Sequence, residues 1–277
     1  MLNVDLRILA VITFLTSTLM LAMPATAAVV GVHAGGDIDT PCSPLSAGGF
    51  RCGPGIVTLD EDYDFGLDDT SAAISVASGS ANGQASISFG ANGTPVFTVG
   101  AFSTLNNNVS VRTESMRQFI YTGPDAFLLT ATGNFHVVLN GLGTAANAGI
   151  ALIPEDPDLD FVLEDVFNTG KFGGGLSGFF NEGVFPLDSA NGSQNLDGEF
   201  DINLSVSTTV NNGDVLWLWG RFGAYATNGG TANGLNTGTF VFNTDNIQAV
   251  AVIPVPAAVW LFASGLGLLG AMLRRRV

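Results

Sequence analysis

Along the middle of the chain, apolar residues recur at every second position in short runs separated by turn residues. This is the period of a half-buried β-strand. The cleanest run is residues 199–207. Phe200, Ile202, Leu204 and Val206 fall on one face, and Glu199, Asp201, Asn203, Ser205 and Ser207 on the other. Phe135, Val137 and Leu139 form a second alternating set. Residues 71–78 alternate around Ile74 and Val76, residues 85–89 around Ile87, and residues 96–102 follow Pro95. Asn211-Asn212-Gly213-Asp214 predicts a turn into Val215-Leu216-Trp217-Leu218-Trp219, which is apolar on both faces and so reads as a central strand. Phe240 and Phe242 close the series. The pairs Asn82-Gly83 and Asn92-Gly93 read as hairpin punctuation. No sustained helical period occurs outside the two ends. The pattern predicts an all-β chain: an antiparallel β-sandwich, jelly-roll-like, of roughly eight to twelve strands.

The ends carry a different pattern. Near the start, Arg7 precedes an apolar run over residues 8–23, Pro24 breaks it, and Ala25-Thr26-Ala27 follows with Ala28 next. A basic start, a short apolar helix and a small-x-small site predict a secretory signal peptide over residues 1–27, cleaved before Ala28; the alternative is an uncleaved anchor. At the other end, Pro254-Val255-Pro256 leads into residues 257–273, 17 uncharged residues that as a helix reach about 25 Å. Arg274, Arg275 and Arg276 follow, placed where the positive-inside rule puts the cytoplasm. The predicted organisation is a signal segment (1–27), an exported β-domain (28–253) and a C-terminal membrane segment (254–277).

These C-terminal residues carry a resemblance. A Pro-x-Pro motif, a glycine-rich apolar helix with Trp260-Leu261-Phe262 near its start and a terminal arginine cluster, in that order, resemble the PEP-CTERM sorting signal. The resemblance is confined to about 25 residues and includes the Val-Pro-Ala-Ala-x-Trp-Leu-Phe variant, here residues 255–262. It implies recognition by an exosortase, a membrane cysteine transpeptidase, with processing near Pro256. It also implies a link to exopolysaccharide and biofilm. Val255 stands where the family usually has Glu. The expected location is the inner membrane, with the body outside the cytoplasm, and then the cell surface or matrix. The simpler alternative is a plain C-terminal anchor.

Composition narrows the chemistry. Of 24 acidic residues only Asp5 lies outside residues 28–253, and of nine basic residues Arg7 and the three terminal arginines do. The body therefore keeps 23 acids against five bases (Arg51, Arg112, Arg117, Lys171, Arg221), a net charge of −18. Such a body repels phosphate backbones, which excludes nucleic acid as a partner. Cys42 and Cys52, in an exported chain, predict a disulfide across a short loop, contributing roughly 2–3 kcal/mol on the chain-entropy argument.

No catalytic site emerges. His33 falls in a Gly-rich N-terminal stretch expected to be mobile, and His136 on the wet face of its strand. No Gly-x-Ser-x-Gly elbow is present, and two distant histidines do not make a zinc site. Gly173-x-Gly175-x-x-Gly178 lacks the following helix that a dinucleotide site needs. Residues 60–69 read as an acidic turn, in which Asp60, Asp62 and Asp64 could wrap a calcium ion; Glu155, Asp156, Asp158 and Asp160 form a second acidic stretch. No other cofactor is expected. Trp217 and Trp219 share a strand face, either as core or as a sugar-stacking platform. The leading expectation is a non-catalytic, membrane-sorted surface or matrix protein. The alternatives are a carbohydrate-binding adhesion module and a secreted polysaccharide-active enzyme.

Overall fold

The computed structural model describes residues 30–39, 42–44, 50–52, 56–66, 71–90, 92–105, 107–155 and 187–250. The signal segment, the C-terminal tail, the Gly173–Gly178 motif and Asp156, Asp158 and Asp160 lie outside the described residues.

Fifteen strands are described. They are β1 (Val30–Asp39), β2 (Cys42–Pro44), β3 (Phe50–Cys52), β4 (Ile56–Gly66), β5 (Ala72–Ser78), β6 (Ala81–Phe89), β7 (Pro95–Phe102), β8 (Asn108–Tyr121), β9 (Phe127–Asn140), β10 (Ala145–Pro154), β11 (Asp188–Gln194), β12 (Gly198–Val210), β13 (Val215–Thr227), β14 (Thr231–Phe242) and β15 (Ile247–Ala249). All pairings are antiparallel. One sheet runs β11-β10-β13-β8-β1-β4, with β15 also on β8; we call it sheet A. The other, sheet B, runs β12-β9-β14-β7-β6-β5.

The sheets stack with their strand orders aligned: β11 over β12, β13 over β7, β8 over β6 and β7, β1 over β5. Strands β7 to β14 pair as a nest, β7 with β14, β8 with β13, β9 with β12 and β10 with β11, alternately in sheets B and A. That is jelly-roll connectivity. Strands β5 and β6 widen sheet B, and β1, β4 and β15 widen sheet A, so the sandwich exceeds the eight to twelve strands expected. Val30 lies opposite Arg117 and Ala249 opposite Phe119, so the first and last described strands run end to end along β8.

The alternation read from the sequence sets the interior. Ile74, Val76, Phe135, Val137, Leu139, Ile202, Leu204, Val206 and Phe240 are buried between the sheets. The turn before β13 forms as expected, with Gly213 at φ 90°, a region a side chain strains to enter.

Three local expectations are corrected. Asn82-Gly83 is not a turn; it lies inside β6, and the chain reverses at Gly79 and Ser80 instead. Glycine is needed at position 83 because a Cβ there would stand 2.6 Å from Val111 Cγ1 of the facing sheet. His33 is not in a mobile stretch: it sits in β1 at 1% exposure. Residues 60–66 are not a turn but part of β4, paired with β1 along its whole length.

Extended backbone sets Asp60, Asp62 and Asp64 about 6.7 Å apart in succession rather than around a turn. Asp62 instead accepts a hydrogen bond from the Ala73 amide at 2.8 Å, tying β4 to β5. Strands β2 and β3 place Cys42 directly opposite Cys52. Opposed antiparallel residues have Cα atoms about 4.5–5.5 Å apart, within the span of a disulfide.

Candidate functional site

Sheet A is buried on both faces near its middle. On its outer face Met116, Ala151, Ile153, Trp217 and Trp219 are each at most 1% exposed, and none belongs to the cluster between the sheets. This settles the geometry of the tryptophan pair. The two rings share a face, as the sequence predicts, but they are closed off from solvent. They are neither inter-sheet core nor an open stacking platform.

The same outer face carries a two-row polar array. Register aligns Asn191, Gly149, Arg221, Glu114 and His33 across β11, β10, β13, β8 and β1. The adjoining row is Ser193, Asn147, Gly223, Arg112 and Gly35. At the β11 end the array opens into a cleft of about 410 Å³ lined by Asn147, Asn191, Gly192, Ser193 and Arg221.

Two glycines of the array, Gly149 and Gly223, lie against the cleft's carboxamides. A Cβ on Gly149 would lie 2.7 Å from Asn191 Oδ1 and 3.0 Å from Trp219 Cζ3; one on Gly223 would lie 3.0 Å from Asn147 Oδ1. The carboxamides rest where side chains would otherwise stand. β11 is an edge strand, so Asn191 and Ser193 project at an accessible margin.

Toward β8 the array closes. Glu114 is fully buried, and its Oε1 lies 3.4 Å from Arg221 Nε, an ion-pair contact too long for a well-formed hydrogen bond. Burial pushes the Glu114 carboxyl up to about 7, with the Arg221 and then the Arg112 guanidinium pulling it partway back. Arg221 itself keeps 26% exposure and reaches the cleft.

A second concavity, of about 440 Å³, lies beside β15 and is lined by Asn92, Arg117, Phe242, Asp245 and Gln248. Its arginine is 8% exposed and lies over the Phe89 ring at 4.8 Å.

On the outer face of sheet B, His136 stands opposite the core set as expected, between Asp201 (2.9 Å) and Glu199 (3.4 Å). Among the described residues no group of three or more metal-ligating side chains converges.

Sequence reasoning singled out Trp217 and Trp219 but missed Asn147, Asn191, Ser193 and Glu114. The array is built across five strands, and spacing along one strand does not reveal it. The available signal was Arg221, an arginine on the outer face of the most apolar strand of a chain with few bases.

No family model matches the chain, and no curated protein matches it. Among solved structures, TmCBM61 in complex with β-1,4-galactotriose aligns with 54% of this chain and 71% of its own, at 6% identity and TM-score 0.27. The CBM22-1–GH10 modules of Clostridium thermocellum xylanase 10B, complexed with xylohexaose, align with 65% of this chain and 25% of their own, at 11% identity and TM-score 0.21. A structure from work on promiscuous carbohydrate-binding modules of the β-sandwich superfamily aligns with 75% of this chain and 85% of its own, at 8% identity and TM-score 0.22. At these scores the likenesses carry no argument about the cleft, and the fold assignment rests on the strand pairing alone.

Proposed function

We propose that the chain is an exported, membrane-sorted surface protein whose β-sandwich binds polysaccharide through the outer-face cleft of sheet A. The observation that carries the reading is the cleft itself. Two carboxamides and a hydroxyl, each both donor and acceptor, line it beside one guanidinium. Sugar hydroxyls need paired donors and acceptors at this density, and an open edge admits a chain rather than a buried small molecule.

Binding rather than two-carboxylate hydrolysis is supported by the surroundings of Glu114. Its register neighbours are Arg221 and His33, and a glycosidase of the common kind pairs its acid with a second carboxylate about 5–10 Å away. The test is a panel of neutral and acidic matrix polysaccharides against the full chain. Saturable binding to one class is expected, weakened about fivefold by Asn147→Ala and by Asn191→Ala, one hydrogen bond each. No binding across the panel, or binding indifferent to both substitutions, sinks the reading.

The address rests on the ends. The Pro254-Val255-Pro256 motif, the apolar segment and Arg274, Arg275 and Arg276 support sorting by an exosortase-type transpeptidase, with retention at the membrane before release. The expected result is that mass spectrometry of surface material gives a C-terminus near Pro256. Recovery of the intact Arg276-Val277 terminus there counts against processing and leaves a plain anchor.

A further inference from the structure

We infer that the cleft selects an anionic polysaccharide, with Arg221 clamping a sugar carboxylate or sulfate ester while Asn147, Asn191 and Ser193 take the flanking hydroxyls. This rests on the polysaccharide reading above and names its ligand class.

The first ground is charge placement. Residues 28–253 carry only five bases, and two of them, Arg112 and Arg221, stand in adjacent rows on the outer face of sheet A. Among the described residues, those lining the cleft include one cation and no carboxylate. In a body of net charge −18, a positive island this local cannot act by general attraction, because the surrounding field repels polyanions. It can act only at contact, which is how a specific site differs from a basic patch.

The second ground is the state of the guanidinium. Its one charged partner among the described residues is Glu114, met at 3.4 Å through Nε. No described hydrogen bond occupies its terminal nitrogens, and 26% of the side chain stays accessible at the cleft. Those nitrogens present a planar fork, which matches carboxylate and sulfate oxygens two at a time.

The third ground is the charge balance beneath. Glu114 is the buried counter-charge, faced by His33 from β1, Arg221 from β13 and Arg112 from its own strand. Two guanidiniums flank one carboxyl that burial holds largely protonated below neutral pH. Among the described residues these groups are then short of negative charge by one to two units, and a ligand anion supplies it.

The test uses matched polymers and the full-length protein: polygalacturonate against its fully methyl-esterified form, and dextran sulfate against dextran. At pH 6 at least one anionic member should bind about tenfold or more tightly than its neutral twin, and which pair shows this distinguishes carboxylate from sulfate. Arg221→Gln should erase the preference, and Arg221→Lys should keep part of it. Should Arg221→Gln not fold, Glu114→Gln serves instead. It removes the counter-charge but keeps the clamp, and it should bring anion affinity at pH 8 up to the pH 6 value.

Equal affinity for charged and neutral twins, or a preference that survives Arg221→Gln, overturns the anionic assignment. Neutral-polymer binding that still depends on Asn147 and Asn191 would then leave the polysaccharide reading standing. Failure of all four polymers overturns the anionic assignment, and only failure of the wider panel as well removes the reading beneath it.

Discussion

At pH 8, Glu114→Gln is expected to stabilise the protein by roughly 3 kcal/mol, while at pH 4 the variant and parent should be nearly equal. The folded state holds the Glu114 proton up to about pH 7, against an ordinary value of 4.5. Below about 4.5 the group is protonated whether the chain is folded or not, so it contributes no pH dependence. Between 4.5 and 7 the unfolded chain releases the proton and the folded chain keeps it, so stability falls as pH rises. Above 7 the loss is complete, at about 1.36 kcal/mol for each unit of difference. Glutamine imitates the protonated carboxyl and carries no such loss. The attraction of Arg221 and Arg112 for the carboxylate is already contained in the value of 7, so it adds no separate correction. Urea unfolding of both proteins at pH 4, 6 and 8 measures the effect. Parallel stability–pH curves would show that Glu114 is not the group responsible.

Phe240→Ala should cost about 3–5 kcal/mol, the range for emptying an aromatic site in a packed core. Phe240 is 1% exposed and lies edge-on to Phe97 at 5.4 Å and to Phe135 at 5.6 Å. Phe135 in turn meets Phe222 at 5.0 Å. The cluster fits because glycines lie beneath it. A Cβ on Gly220 would stand 2.2 Å from the Phe240 ring, and one on Gly238 would stand 2.3 Å from the Phe135 ring. Neighbouring backbone therefore already fills against these rings and cannot collapse into the space an alanine leaves. The next residue supplies the control. Val241 is 57% exposed on the outer face of sheet B, and Val241→Ala should stay within about 0.5 kcal/mol. A small loss at Phe240, matching that at Val241, would mean that the cluster is not a packed unit. A lower urea midpoint with unchanged slope is the expected signature.

Both predictions concern positions of different legibility. Phe240 announces itself: it sits in an alternating run, and alternation is a local property of one strand. Strands β5, β9, β12 and β13 were readable on the same ground, and with them the all-β class and the antiparallel sandwich. Strand β8 was not. Its run Thr113-Glu114-Ser115-Met116-Arg117-Gln118 is polar at every position but Met116, yet all six residues are at most 8% exposed. It is central in sheet A, and its Glu114 faces His33 of β1 and Arg221 of β13, both more than 80 positions away. A charged strand buried by cross-strand partners has no periodic signature. Strand β4 misled for a related reason. Its carboxylates resemble a turn in composition, whereas pairing with β1 makes them an extended edge.

By itself the sequence determined what depends on neighbours in the chain: the strand period, the Asn211–Asp214 turn, the acidic balance, and the apolar and arginine-tipped ends on which the sorting proposal stands. The tertiary structure decided everything that depends on register. It turned Trp217 and Trp219 from a candidate platform into a closed face, and moved His33 from a loose end into a strand. It also brought Asn191, Asn147, Arg221 and Glu114 into two adjoining rows. The physical reason is that a sheet has two periods. The period along the strand is written in consecutive residues. The period across strands is set by hydrogen-bond pairing between segments as far apart as Val96 and Thr239, and the cleft belongs entirely to the second.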